Sequence, residues 1–236
     1  MNKEGKQLMN PNFKITISND IKERLPHFGV IALSMDVVVK SSDEIKPEIE
    51  AYATKIKEEY SLEDILNIPL IKEARDGYKA LGKDPSRYRL ACESLLRRIV
   101  KDKGLYYINN VVDAGNLLSL RLFRSTAILD FDKIVGNVNI RVGKENDIYY
   151  GIGRGLLNVC NIPLYCDEIS PFGSPTSDTE RTMITNNTQR ILVMIILFSD
   201  SDREALSLEA KALFKKYAYA QNIKEIKVIE REDSNE

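Results

Sequence analysis

Histidine and cysteine are scarce in this chain: His27 stands alone, beside Cys92, Cys160 and Cys166, in 236 residues. A tetrahedral zinc site wants three or four such ligands, often in close pairs, and no spacing here offers them. No metal or cofactor site is therefore expected. One histidine ahead of an apolar stretch, with no nucleophile near it in sequence, gives little support to Ser-His-Asp or Cys-His catalysis. Long apolar runs are also missing. The longest, ILVMIILF at 191–198, is far short of a bilayer span. An excess of charge of one sign is absent too, with 34 Lys plus Arg against 35 Asp plus Glu. That balance argues against coating nucleic acid by bulk charge and leaves room only for a local basic patch. The N-terminal MNKEGKQLMNPNFK has no apolar core for export. Together with the odd cysteine count, it points to a soluble protein of the reducing cytoplasm, without a membrane partner.

What is present is an ordinary globular composition, 43% hydrophobic and 29% charged. HFGVIALSMDVVV (27–39) reads as a buried strand or strand pair. Helices are expected over 46–59, over 62–66 and through IPLIKEARDGYKALG, where Gly82 suits a stop. DPSRYRLACESLLRRIV is expected to open a helix with Asp84 as N-cap and Pro85 in the first turn, burying Tyr88, Cys92, Leu95, Leu96 and Ile99. STAILDF, GNVNIRVG, DIYYGIG and IPLYCDE look like short strands. RTMIT, a turn at Asn186–Asn187 and RILVMIILF read as two more, the last central in a sheet because it is apolar throughout. An amphipathic helix over 202–219, a strand in IKEIKVI and a solvated acidic tail close the chain. Interleaved helices and strands favour one mixed α+β (α/β) domain, with 1–70 as an N-terminal portion of the same unit as 71–236.

Four segments are candidates for function. In INNVVDAGNLLSL (108–120), Asn109, Asp113 and Asn116 fall at helical spacing on one face, with an apolar stripe on another. Such a stripe is either a solvated face or the polar wall of a pocket. GIGRG (151–155) lacks the helix that a dinucleotide fingerprint needs and reads better as a bending loop. The 83–103 stretch carries Lys83, Arg87, Arg89, Arg97, Arg98, Lys101 and Lys103 against Asp84, Glu93 and Asp102, either to meet phosphates or as a solvated face. In SDTERTMITNNT, a strand would put Thr182 and Ile184 on one side and Met183 and Thr185 on the other, lining a cleft or pairing across strands.

YYINNVVDAGNLLSLRLF, ILDFDKIVGNVNIRVG, YCDE and DTERTMIT together resemble the tRNA-editing domain of the phenylalanyl-tRNA synthetase beta chain, which also occurs as free-standing proteins. The likeness spans about residues 75–200 and keeps the order of the family's motifs. It implies a compact α/β fold with a pocket for a wrongly attached amino acid. In synthetases that pocket hydrolyses tyrosine from the tRNA specific for phenylalanine. Carried onto this chain, the resemblance places Asn109, Asn110, Asp113, Asn116 and Ser119 at the pocket helix, with Thr182, Thr185 and Asp178 opposite. Asp113 and Asn116 are expected to face a solvent-reached pocket shared with residues near Thr182 and Thr185. Arg97, Arg98 and Lys101 would meet the tRNA. Two positions depart from the synthetase pattern: Ala127 occupies a histidine's place, and FGSPTSDTERT replaces a Gly-rich stretch. An aminoacyl ester is already activated, so a positioned water and oxyanion donors can suffice without histidine. The expected function is binding an amino acid or aminoacyl-tRNA and hydrolysing a mischarged ester. The alternatives are a non-catalytic small-molecule binder and a tRNA-binding accessory protein.

Overall fold

Alternation along two apolar segments organises the molecule, whose computed structural model describes residues 13–230. Of the expectations above, the acidic tail beyond residue 230 and the segment before residue 13 lie outside the described residues. The chain begins β1 (Ile15–Ile17), α1 (Asn19–Arg24) and β2 (Gly29–Asp36). Five helices follow: α2 (Lys46–Glu59), α3 (Leu62–Asn67), α4 (Pro69–Ala80), α5 (Ala91–Val100) and α6 (Asn110–Leu122). Next come β3 (Thr126–Asp130), β4 (Val138–Val142), β5 (Tyr150–Gly151), β6 (Gly155–Leu156), β7 (Pro163–Cys166) and β8 (Pro171–Gly173). The chain closes with β9 (Arg190–Leu197), α7 (Arg203–Tyr217), β10 (Gln221–Ile226) and β11 (Val228–Ile229).

Successive side chains of a strand point to opposite faces, so a strand buried on both sides must be apolar throughout. β2 and β9 are apolar apart from Ser34 and the terminal Asp36 and Arg190, and they pair antiparallel along their whole length, Gly29 opposite Leu197 and Asp36 opposite Arg190. They form the middle of a four-stranded sheet, β10-β2-β9-β3. Ile31, Leu33, Met35, Ile191, Val193 and Ile195 turn to one face, where α6 and α7 cover them with Val111, Leu118, Leu213 and Phe214. Val30, Ala32, Leu192, Met194 and Ile196 turn to the other, against Val138, Ile140, Tyr165 and Phe172 of a five-stranded sheet ordered β11-β1-β4-β7-β8. The result is a helical layer on a sheet on a second sheet. β1 lies between β4 and β11 in one sheet and β2 lies in the other, so the N-terminal portion is woven into both and the chain is a single mixed α+β domain.

Several elements differ from their expected form: IKEIKVI, expected as one strand, is divided between β10 and β11 in different sheets. The helix expected from Asp84 begins at Ala91. Asp84 caps only a single turn, accepting from Ser86 N at 2.9 Å. Lys83 is drawn onto the carbonyls of Asn158 and Cys160, each at 2.8 Å, and lies 3.7 Å over the Tyr88 ring, while Arg75 holds the Pro85 carbonyl at 3.2 Å. These contacts keep 88–90 out of helical geometry. RTMIT is not a strand: Glu180–Thr182 forms a 3-10 turn. Arg181 anchors it by a bidentate pair to Asp167, at 3.0 and 2.8 Å, and by the Lys133 carbonyl. GIGRG forms the reversal between β5 and β6, with Gly153 and Gly155 at φ of 63° and 69°, a backbone region that glycine enters without penalty.

Candidate functional site

α6 begins where Asn109 adopts an extended backbone and its side-chain oxygen accepts from Val111 N at 3.1 Å and Val112 N at 2.9 Å, which is an N-cap. Asn110 is a staple. Its oxygen accepts from Lys40 N at 2.7 Å, and its nitrogen donates to Val38 O at 2.9 Å and Tyr217 O at 2.7 Å, joining α6 to the end of β2 and of α7. Asp113 accepts from Ile108 N at 3.2 Å and from the Ser42 hydroxyl. Burial pushes its carboxyl upward and these bonds oppose the push. The Ser119 and Thr126 hydroxyls meet at 2.6 Å, and Gly115 lets α6 approach β3 so closely that a methyl group there would run into Ile128. The expectation of a solvent-reached position for Asp113 therefore needs correction. Asp113 is 1% exposed, because both its oxygens are turned to the chain's own donors. Asn116 is half-buried, and neither it nor Asp113 lines the cleft over residues 148–155 and 170–181 or the one between residues 36–39, 186–189 and 219–222.

A different polar group gathers around residues 149–182. The Tyr78 and Thr176 hydroxyls lie 2.8 Å apart, and the Tyr149 hydroxyl donates to the Ser177 carbonyl. Ser174 Oγ donates to Ser177 O at 2.8 Å. The segment 177–179 is stitched between the β5–β6 hairpin and β8: Ile152 N donates to Asp178 O, and Thr179 N and Oγ1 both reach Phe172 O. Tyr165 of β7 is fully buried and its hydroxyl has no partner. Asp178 reaches solvent in part, yet its Oδ1 is sealed and likewise unpaired. A Cβ on Gly173 would lie 2.7 Å from that oxygen and crowd the Tyr165 ring, so the glycine is what brings β8 beside both. Thr182 Oγ1 and Arg181 Nε are unpaired as well, so four of the six such atoms among the described residues fall between 165 and 182.

An unpaired buried polar atom costs about 1–3 kcal/mol, so this concentration calls for a reason. Burial pushes the Asp178 carboxyl up to about 7, against a hydrogen bond from the Ser174 backbone, and the tyrosine hydroxyls of 78, 149 and 165 are also driven upward, chiefly by burial. Asp167 contrasts with Asp178. Burial alone would raise it, but bonds from Val135, Arg181, Ser170 and Ile169 leave it below the usual carboxylate range. A cleft of about 440 Å³ opens over this region, lined among others by Tyr150, Gly151, Thr179, Glu180 and Arg181. Of the expected residues, Asp178 and Thr182 belong to this polar group, but neither lines the cleft, and Thr182 is buried. Thr185 instead holds the next turn, its N–H donating to Thr188 Oγ1 at 2.9 Å, and Thr188 donates to Asp130. Tyr78, Tyr149 and Tyr165 escaped sequence reasoning, since a tyrosine in an apolar stretch reads as core. The one available signal was their number beside a Ser/Thr/Asp-rich loop.

Ala127 lies buried in β3 opposite Met194, among apolar side chains. Among the described residues, no three His, Cys, Asp or Glu side chains are grouped to hold a metal ion, and no helix is long and apolar enough to cross a membrane. The basic stretch is largely paired within the chain. Arg75, Arg89 and Arg97 converge on buried Glu93 at 2.8, 3.9 and 3.7 Å. Arg98 donates to the carbonyls of Lys103 and Gly104 and stacks over Tyr106, whereas Lys101 is exposed.

Residues 73–226 match the B3/4 domain family. The beta subunit of the phenylalanine–tRNA ligase of Fusobacterium nucleatum subsp. nucleatum is 28% identical over 127 residues, which is 52% of this chain and 16% of that subunit. An N-terminal fragment of the phenylalanyl-tRNA synthetase beta subunit from Pyrococcus horikoshii shares the fold at a TM-score of 0.52 and 10% identity, covering 95% of this chain and 54% of the fragment.

Proposed function

Starting from a chain that belongs to the B3/4 domain family and is related to part of a tRNA-synthetase subunit, we propose that it binds an amino acid or the aminoacyl end of a charged tRNA and hydrolyses the ester when the pairing is wrong. The observation that carries this reading is the pair of unpartnered atoms, Asp178 Oδ1 and Tyr165 OH, sealed within the fold, with Asp178 immediately preceding Thr179, Glu180 and Arg181 of the cleft lining. A ligand that supplies the missing partners would relieve their cost, and a site built to hydrogen-bond a substrate group rejects an analogue lacking it by about 10⁴-fold. Asp178, pushed up to about 7, holds both protonation states near neutrality. In its ionised form it takes the proton of a water attacking the ester carbon. As the carbon–oxygen bond to the ribose breaks, it returns that proton to the leaving oxygen. Thr182, fully buried, holds its unpaired hydroxyl behind the cleft lining rather than in it. Asn109, Asn110, Asp113 and Ser119 act as fasteners that hold α6. Lys101 and Arg98 are the phosphate contacts, with Arg97 shared with Glu93.

Ala127 favours one rival, a domain that keeps the pocket without the chemistry, since no base stands at that place. A deacylation screen over a panel of mischarged tRNAs, run beside thermal stabilisation by free amino acids, separates the two. Hydrolysis of one pair, lost about 100-fold in Asp178→Asn, supports the enzyme. Stabilisation by an amino acid without hydrolysis selects the binder, and neither response overturns both.

A further inference from the structure

The larger open cleft, of about 720 Å³, lies away from that site, where the end of β2, the 186–189 turn and the start of β10 meet. Its lining is unusual in one respect: five side-chain amides, Asn186, Asn187, Gln189, Gln221 and Asn222, all exposed, stand around it with Tyr219. An amide presents a donor and an acceptor side by side, which matches the adjacent donor and acceptor on the edge of a nucleobase. The backbone here is held in a costly form. Tyr219 and Asn222 both adopt left-handed φ, 54° and 51°, and the β10–β2 register shifts between Gln221 and Lys224. Such conformations persist where surrounding contacts enforce them, and they cluster at ligand sites. The enforcing contacts are visible: the Tyr219 hydroxyl donates to Glu44 at 2.7 Å, Lys40 lies 3.9 Å over its ring, and Asn222 donates to Asp36 at 2.9 Å. Asp36 is the charged residue of the lining, and a carboxylate repels phosphate but accepts hydrogen bonds from a ribose diol.

We propose that this cleft binds the base and ribose of a nucleoside, the amides of Asn186, Asn187, Gln189 and Gln221 reading the base edge and Asp36, already the acceptor of Asn222, taking the sugar hydroxyls as well. The proposal stands apart from the amino-acid site above and does not need it. The test is a titration of the full chain, followed by backbone amide NMR, with adenosine, cytidine, guanosine and uridine separately and with glucose as the control. One nucleoside is expected to give saturable shifts confined to residues 36–39, 186–189 and 219–222. Asn187→Ala with Gln221→Ala, two exposed positions, should weaken it at least tenfold without lowering the melting temperature. Asp36→Asn should abolish the preference for the ribonucleoside over its 2′,3′-dideoxy analogue. Both variants should leave stabilisation by amino acids unchanged, so failure here is distinct from failure of the other site. The proposal is overturned if no nucleoside saturates, if glucose gives the same shifts, or if the double amide variant binds as tightly as the parent.

Discussion

α6 and the segment 173–182 both set polar side chains among apolar ones, and they resolve the cost in opposite ways. On α6, Asn109, Asn110, Asp113 and Ser119 each find partners within the chain, so polarity there holds three parts of the fold together. In 173–182, donors and acceptors crowd together and several are left over, Asp178 Oδ1 and Thr182 Oγ1 among them. A satisfied buried group stabilises a unique arrangement, whereas an unsatisfied one is a standing cost that binding can relieve. Substitution on the helix should therefore destabilise, and substitution at Asp178 should stabilise while harming function.

The largest effect is expected at Asp178. Its carboxyl is about 7 in the folded chain and near 3.8 when unfolded, so the folded state binds more protons between those values. Stability from this group is complete below about pH 4 and falls as pH rises toward 7, by at most about 4 kcal/mol and by less to the extent that Asp178 reaches solvent. Lowered carboxyls such as Asp147 and Asp167 act in the opposite sense, so the informative quantity is the difference between Asp178→Asn and the parent. In urea melts this difference should favour the variant increasingly from pH 4 to pH 7. A flat difference would place Asp178 among the satisfied groups and dissolve the contrast with α6.

Asn110→Ala comes next. It strips three hydrogen bonds and leaves the carbonyls of Val38 and Tyr217 and the N–H of Lys40 without that partner. A loss of about 3 kcal/mol is expected by chemical denaturation. A loss below about 1 kcal/mol would show that water replaces the staple. Gly115→Ala should cost about 1–3 kcal/mol, because Ile128 must move to admit the methyl group. Asn109→Ala should be the mildest, about 1 kcal/mol for an N-cap, readable as a small drop in melting temperature with ligand response retained.

Much of the framework was legible beforehand. The all-apolar stretch 191–198 announced a central strand, and β9 is one. Gly82, read as a helix stop, follows the end of α4 at φ 88°. The polar stripe on α6 was visible as well, but its partners were not. Ser42 lies 71 residues from Asp113 and Tyr217 lies 107 from Asn110, and no local pattern reports so distant a contact. The strand expected at 181–185 failed for the same reason: Arg181 answers to Asp167 rather than to its neighbours.

The identity of most helices and strands and the doubly buried centre of the main sheet follow from residue chemistry and spacing, because periodicity and turn preference act within a few residues. Which polar groups are satisfied is decided elsewhere. Satisfaction depends on donors and acceptors meeting across loops and layers. Only the packed arrangement turned Asn110 into a staple, brought Tyr165 beside Asp178 through the bare backbone of Gly173, and left that carboxyl short of a partner.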